Sequence, residues 1–118
     1  MLLVEDDAAL RESVAALLRE EGAEVMEVDT LAAARRALRQ GFDLVLLDHI
    51  LPDGFGSDLC RTMRAERQGA RPACVLFSAL HDVERIARDA GADAWFAKPF
   101  DVFDFLAKLD GLLAANSA

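Results

Sequence analysis

Short apolar runs alternate with longer amphipathic stretches along the whole chain, with no low-complexity segment, linker or repeat between them. The apolar runs predict five strands, at residues 1–5, 23–28, 42–48, 73–78 and 94–97. Three of them are continuously apolar: Leu2-Leu3-Val4, Leu44-Val45-Leu46-Leu47 and Cys74-Val75-Leu76-Phe77. A strand apolar on both faces must be covered on both, which predicts a parallel sheet held between two helical layers. The stretches in between carry helical stripes, one made by Leu10, Val14, Leu17 and Leu18 and another by Val102, Leu106, Leu109 and Leu113. Gly22, Gly41 and Gly91 each follow a helical pattern and precede a strand, as left-handed helix ends do, while Thr30 and Asp101 are placed to cap the helices that follow them. Right-handed crossovers then give an α/β fold, a doubly wound five-stranded parallel sheet with five helices.

In such sheets the ligand site lies beyond the carboxyl ends of the strands. The residues expected there are Glu5-Asp6-Asp7, Asp48, Ser78 and Lys98-Pro99, from four distant segments. Glu5, Asp6 and Asp48 would bring three carboxylates together, and like charges at close range call for a compensating cation. Oxygen ligands without a suitably placed His or Cys suit Mg²⁺ or Mn²⁺ better than zinc. Lys98 is one of two lysines in the chain and ends an apolar run, so its ammonium should meet an anion. A metal, an ammonium and the Ser78 hydroxyl would surround a phosphoryl group from three directions, leaving Asp48 as the nucleophile. Each acid taken singly also reads as a solvated helix cap.

Composition narrows the function classes. The 118 residues carry 13 Lys and Arg against 21 Asp and Glu, a net charge of −8, and 53% are hydrophobic. That charge argues against a nucleic-acid surface, which needs clustered cations to displace counterions. No apolar run approaches the ~20 residues of a membrane span, and the N-terminus lacks signal-peptide features, so a cytoplasmic location is expected. Cys60 and Cys74 have neither CxxC spacing nor a neighbouring His, and read as two reduced core thiols.

At this point the residues match a known family. The chain resembles a response-regulator receiver domain, the phospho-acceptor module of two-component signalling, from Met1 to about Leu113. The resemblance rests on four motifs in order: Leu2-Leu3-Val4-Glu5-Asp6-Asp7, the segment 44–54 around Asp48, Leu76-Phe77-Ser78-Ala79, and Lys98-Pro99-Phe100. It implies a flavodoxin-like strand order 2-1-3-4-5, with the whole of 1–118 as one receiver domain. It also implies that Asp48 accepts the phosphoryl group, that Asp6 binds Mg²⁺ directly and Glu5 through water, and that the Ile50 backbone carbonyl completes the metal shell. Ser78 matches the switch hydroxyl, Lys98 the lysine that pairs with the phosphoryl group, and Pro99 would follow a cis peptide bond. Trp95 matches the switch aromatic but departs from the Tyr, Phe or His usual there. The alternative is a partly buried aromatic covering the last helix. Ile50 and Leu80 occupy places where the family often has polar side chains that orient an attacking water, so slow autodephosphorylation is expected.

Several features have plainer readings. Strand alternation points His49 away from Asp48, and Asp82 reads as the start of a helix rather than half of a metal-binding His81-Asp82 pair. Arg35, Arg36 and Arg39, and Arg61, Arg64 and Arg67, read as solvated helix faces, with docking of an acidic partner as the alternative. Gly54 and Gly56 around Phe55 supply backbone freedom beside Asp48.

The resemblance implies phosphotransfer from a histidine kinase or histidine phosphotransfer protein, and an output on a downstream partner or on an output domain missing from this chain. It implies a regulatory domain rather than an enzyme with outside substrates. The fourth and fifth helices form a candidate homodimer face. Two other readings compete: a phosphatase of the haloacid-dehalogenase kind, which needs an Asp where Ile50 stands, and a receiver-like module that only binds partners.

Overall fold

Alternation along the apolar strands sends successive side chains to opposite faces of one sheet, and each face meets its own helical layer. The computed structural model describes residues 1–66, 72–99 and 101–117. Arg67, Phe100 and the side chains of Val102 and Leu113 lie outside the described residues. The strands are β1 (Leu2–Val4), β2 (Met26–Val28), β3 (Leu44–Asp48), β4 (Ile50–Leu51), β5 (Gly54–Phe55), β6 (Ala73–Ser78) and β7 (Ala94–Ala97). The helices are α1 (Ala8–Glu20), α2 (Leu31–Ala37, continued by a 3₁₀ turn, Leu38–Gln40), α3 (Gly56–Ala65), α4 (Val83–Ala90) and α5 (Val102–Ser117).

Five strands pair in parallel in the order β2-β1-β3-β6-β7. This is the expected 2-1-3-4-5 order once β4 and β5 are counted separately. Those two strands form an antiparallel hairpin, Ile50 opposite Phe55, that the strand pattern did not predict because each strand has only two residues. One face of the sheet packs Leu2, Val4, Val45, Leu47 and Leu76 against α2, α3 and α4. The other packs Leu3, Leu44, Leu46, Val75 and Phe77 against α1 and α5, where Leu109 is buried. Continuous apolar runs are therefore two interleaved faces, each closed by helices.

Helix ends follow local chemistry. The Thr30 hydroxyl accepts from Ala33 N at 3.1 Å, and Asp101 accepts from the amides of Phe103 and Asp104 at 2.9 and 3.1 Å. Gly91 ends α4 with φ 77° and ψ 27°, the left-handed conformation expected of a glycine there. Asp82 precedes α4 but makes no capping hydrogen bond; its carboxylate pairs with Arg85 instead. β2 is shorter than its apolar run because the end of α1 takes over the neighbouring backbone, Ala23 N donating to Leu18 O and Arg19 to Val25 O.

One expectation is corrected. Cys60 and Cys74 are not reduced thiols but form a disulfide, with Cα atoms 6.4 Å apart. Both lie in the α2–α4 layer, where α3 packs over β6 and brings together two residues 14 positions apart. Sequence spacing could not show this, because the proximity arises from helix-on-sheet packing.

Candidate functional site

Parallel strands of matched register end together, so the residues after β1, β3, β6 and β7 converge on one rim. Glu5 follows β1 and is tied to the sheet by its amide, which donates to Val28 O at 3.1 Å. Asp48 closes β3 opposite Phe77 of β6. Ser78 closes β6, and Lys98 N donates to Ser78 O at 2.8 Å, carrying the β6–β7 pairing past the end of β7. The Lys98–Pro99 peptide is cis.

Glu5, Asp6 and Asp48 each offer a carboxylate oxygen within 4.8 Å of the other two. Glu5 and Asp48 are buried, at 2% and 5% exposure, whereas Asp6 is exposed. The Lys98 ammonium stands 3.3 Å from Asp48 Oδ2 and 3.3 Å from Glu5 Oε2, with the Phe77 ring 5.1 Å away. Three carboxylates stand against one ammonium, an excess of negative charge. Burial foremost, then the neighbouring Asp48 carboxylate, push the Glu5 carboxyl up to about 7, while Lys98 pulls the other way. An all-oxygen cluster with surplus negative charge and one open, exposed member fits a hard divalent cation such as Mg²⁺ that keeps part of its water shell.

The remaining rim positions differ in how firmly they are held. Ser78 is buried, and its Oγ accepts from Leu80 N at 3.1 Å. Ile50, Phe55 and Leu80 are large apolar side chains left 47%, 52% and 41% exposed. The chain leaves Asp48 through His49, which is buried and stacks on Phe55 at 5.1 Å. Burial holds its imidazole below the usual value, favouring the neutral ring. The return into α3 is tight: Gly56 N donates to His49 O at 2.7 Å, and a Cβ at Gly56 would collide with the Asp48 carbonyl oxygen and lie 2.9 Å from Leu47 Cγ. Glycine is required there by close approach. Trp95 is half-buried, and the contact described for it is with α4, under the Arg88 guanidinium at 5.0 Å, rather than with the last helix.

Two further residues bear on the site through contacts that the sequence did not show. Asp53 accepts from Leu31 N and Ala32 N at 2.8 and 2.9 Å, pinning the β4–β5 hairpin to the start of α2, and those amides hold its carboxyl below the ordinary range. Arg11, in the first turn of α1, donates to the Glu5 backbone carbonyl at 2.9 Å. Both act across the fold, where neither periodicity nor motif spacing reaches.

The family described as response regulator receiver domain matches residues 1–110. The chain is 36% identical to the KDP operon transcriptional regulatory protein KdpE of Escherichia coli, over all of this chain and 52% of that protein. It is 33% identical to the sensory transduction protein RegX3 of Mycobacterium bovis, over 96% of this chain and 50% of that protein. The chain thus spans about half the length of these relatives. Among solved structures, the BeF3-activated N-terminal receiver domain of Klebsiella pneumoniae RstA superposes with TM-score 0.85 at 30% identity, covering 95% of this chain and 96% of that one. A CheY-like receiver domain protein of Methanospirillum hungatei superposes at 0.84 with 31% identity, covering 98% and 94%. No helix among the described residues is long and apolar enough to cross a membrane.

Proposed function

The chain belongs to the response-regulator receiver family, and from that premise we propose that it accepts a phosphoryl group on Asp48 from a phosphohistidine of a histidine kinase or phosphotransfer protein. The observation that carries this reading is the Lys98 ammonium bridging Asp48 and Glu5 beside the Asp6 carboxylate. An Asp48 carboxylate oxygen attacks phosphorus and forms the P–O bond of an acyl phosphate. The P–N bond to the donor imidazole breaks with its electron pair on nitrogen, and that ring takes a proton from solvent. Lys98 then exchanges its contact with Asp48 for one with a phosphoryl oxygen, and the Ser78 hydroxyl donates to another. Glu5, Asp6, Asp48 and the Ile50 carbonyl would hold Mg²⁺, which when bound supplies compensating positive charge to the phosphoryl oxygens. The transfer is self-catalysed on the chain's own residue, and the domain is regulatory.

Ile50 and Leu80, apolar and two residues after Asp48 and Ser78, offer no polar group to orient a water toward the acyl phosphate, which therefore persists. The phosphorylated state is read through the β6–α4–β7 surface by a downstream partner or an output domain. With Ile50 where a haloacid-dehalogenase phosphatase needs a second Asp, hydrolysis of outside phosphate esters is the weaker reading. Intact-mass measurement after incubation with acetyl phosphate should show one added phosphoryl group, dependent on Mg²⁺ and abolished in Asp48→Asn, and its decay after donor removal gives the lifetime. Absence of the mass gain in the wild type would leave only a partner-binding role, and decay within seconds would remove the proposed effect of Ile50 and Leu80.

A further inference from the structure

Of the three clustered carboxylates, two are fixed by burial and one is not. Glu5 and Asp48 are packed into the ends of β1 and β3 and share the Lys98 ammonium. Asp6 is exposed, and no hydrogen bond holds its carboxylate among the described residues. Its position is therefore set by the backbone on either side of it: the Asp7 amide, which donates to Glu5 Oε1 at 3.3 Å, and the Glu5–Asp6 peptide. That peptide is planar, so fixing the Glu5 carbonyl fixes the direction in which the Asp6 Cα departs.

The Glu5 carbonyl lies beyond the last ladder position of β1, and its partner is Arg11 Nη1 at 2.9 Å. Arg11 is itself oriented. Its Nε lies 3.4 Å from Glu27 Oε1 on the edge strand β2, the two side chains being only 18% and 24% exposed. Glu27 is held from its other oxygen by Arg19 at 3.1 Å. Glu5 is thus clamped on both sides, its amide on Val28 O and its carbonyl on Arg11.

We propose that Arg11, oriented by Glu27, is a positioning residue for the metal site: by holding the Glu5 carbonyl it places the exposed Asp6 carboxylate where a divalent cation can bind it together with Glu5 and Asp48. This rests on the phospho-acceptor reading for its consequence but not for its direct measurement. Groups that hold metal ligands from behind commonly change affinity 10–100-fold when removed. An effect transmitted through one peptide plane should sit at the low end, about tenfold.

The test is direct Mn²⁺ binding by the full chain, followed by the electron paramagnetic resonance signal of the free ion. Arg11→Met should weaken binding about tenfold, Arg11→Lys should recover part of it through one remaining donor, and Glu27→Gln should lie between wild type and Arg11→Met. Arg19→Met, which loses the bonds to Glu27 and Val25 but leaves the Arg11–Glu27 pair and the Arg11 bond to the Glu5 carbonyl in place, should weaken binding less than Glu27→Gln. In acetyl-phosphate phosphorylation, the half-saturating Mg²⁺ concentration should rise in Arg11→Met by the same factor with the saturating rate unchanged. Wild-type Mn²⁺ affinity in Arg11→Met, or an equal loss in Arg19→Met, would overturn the proposal, the latter reducing Arg11 to a staple between α1 and β2. A wild type that binds Mn²⁺ but takes no phosphoryl group would sink the phospho-acceptor reading and leave the binding result standing. If Arg11→Met does not fold, Arg11→Lys and Glu27→Gln decide the question.

Discussion

The two halves of the rim are built differently. On the β1–β3 side, Glu5 and Asp48 are almost wholly buried, share Lys98, and are backed by the Arg11–Glu27–Arg19 ion pairs and the tight return at Gly56. On the β6–α4–β7 side, Leu80 is exposed, Trp95 is half-buried, and among the described residues the charges on α4 pair only within the helix and its first turn, Arg85 with Asp82 and Arg88 with Glu84, with both partners 45% exposed or more. Buried charges with fixed partners preorganise chemistry, whereas exposed pairs contribute little and are exchanged at low cost. The first half suits the proposed phosphoryl-transfer site, which must hold its geometry. The second suits a surface whose packing shifts once the site is occupied.

The contrast can be broken most severely at Gly56. Gly56→Ala drives a methyl group into the Asp48 carbonyl and toward Leu47, and overpacking of this kind costs ~2–3 kcal/mol, a fall in Tm of roughly 8–15 °C. A Tm within a degree or two of wild type would mean that the β5–α3 return is looser than described.

The burial of Glu5 on the fixed side predicts a pH dependence. In metal-free protein the Glu5 carboxyl titrates near 7 rather than at its usual 4.5, chiefly through burial. Between those values the folded form binds more protons than the unfolded, so this group's contribution makes stability fall as pH rises from 4.5 to 7 and level off above. Glu5→Gln should remove a difference on the order of 2 kcal/mol between pH 5 and 7.5, measured by denaturant melts in a chelator. His49 acts oppositely, since its buried neutral ring loses ground as the unfolded chain protonates, but it does so in both proteins and cancels in the comparison. An equal pH slope in the two proteins would remove Glu5 as its source.

The smallest effect is expected on the other half. Arg88→Ala removes an exposed ion pair and a contact over Trp95, costing less than ~1 kcal/mol of stability. Trp95 is the single tryptophan, so its fluorescence reports directly whether the indole has been released. A stability loss comparable with Gly56→Ala would erase the distinction between the halves.

Much of this was legible in the chain. Runs such as Leu44-Val45-Leu46-Leu47 announce a doubly covered parallel strand because both faces must be apolar, and the helix ends at Thr30, Asp101 and Gly91 follow from local hydrogen bonding and backbone sterics. The convergence of Glu5, Asp6, Asp48, Ser78 and Lys98 was legible as well, since parallel strands put their carboxyl ends on one rim.

Local order and periodicity, then, determined the strands, most helix ends and the identity of the rim residues, because each depends on neighbours in the chain. The β4–β5 hairpin, the Cys60–Cys74 disulfide, the Asp53 brace and the Arg11–Glu27 clamp were decided only by the tertiary structure. The last three join elements far apart in sequence, and their partners come within reach only after helices have packed on the sheet, while the hairpin's two-residue strands are too short to leave a period. The raised Glu5 carboxyl belongs with them, for its cause is burial beside Asp48, a property of the folded rim and of no residue alone.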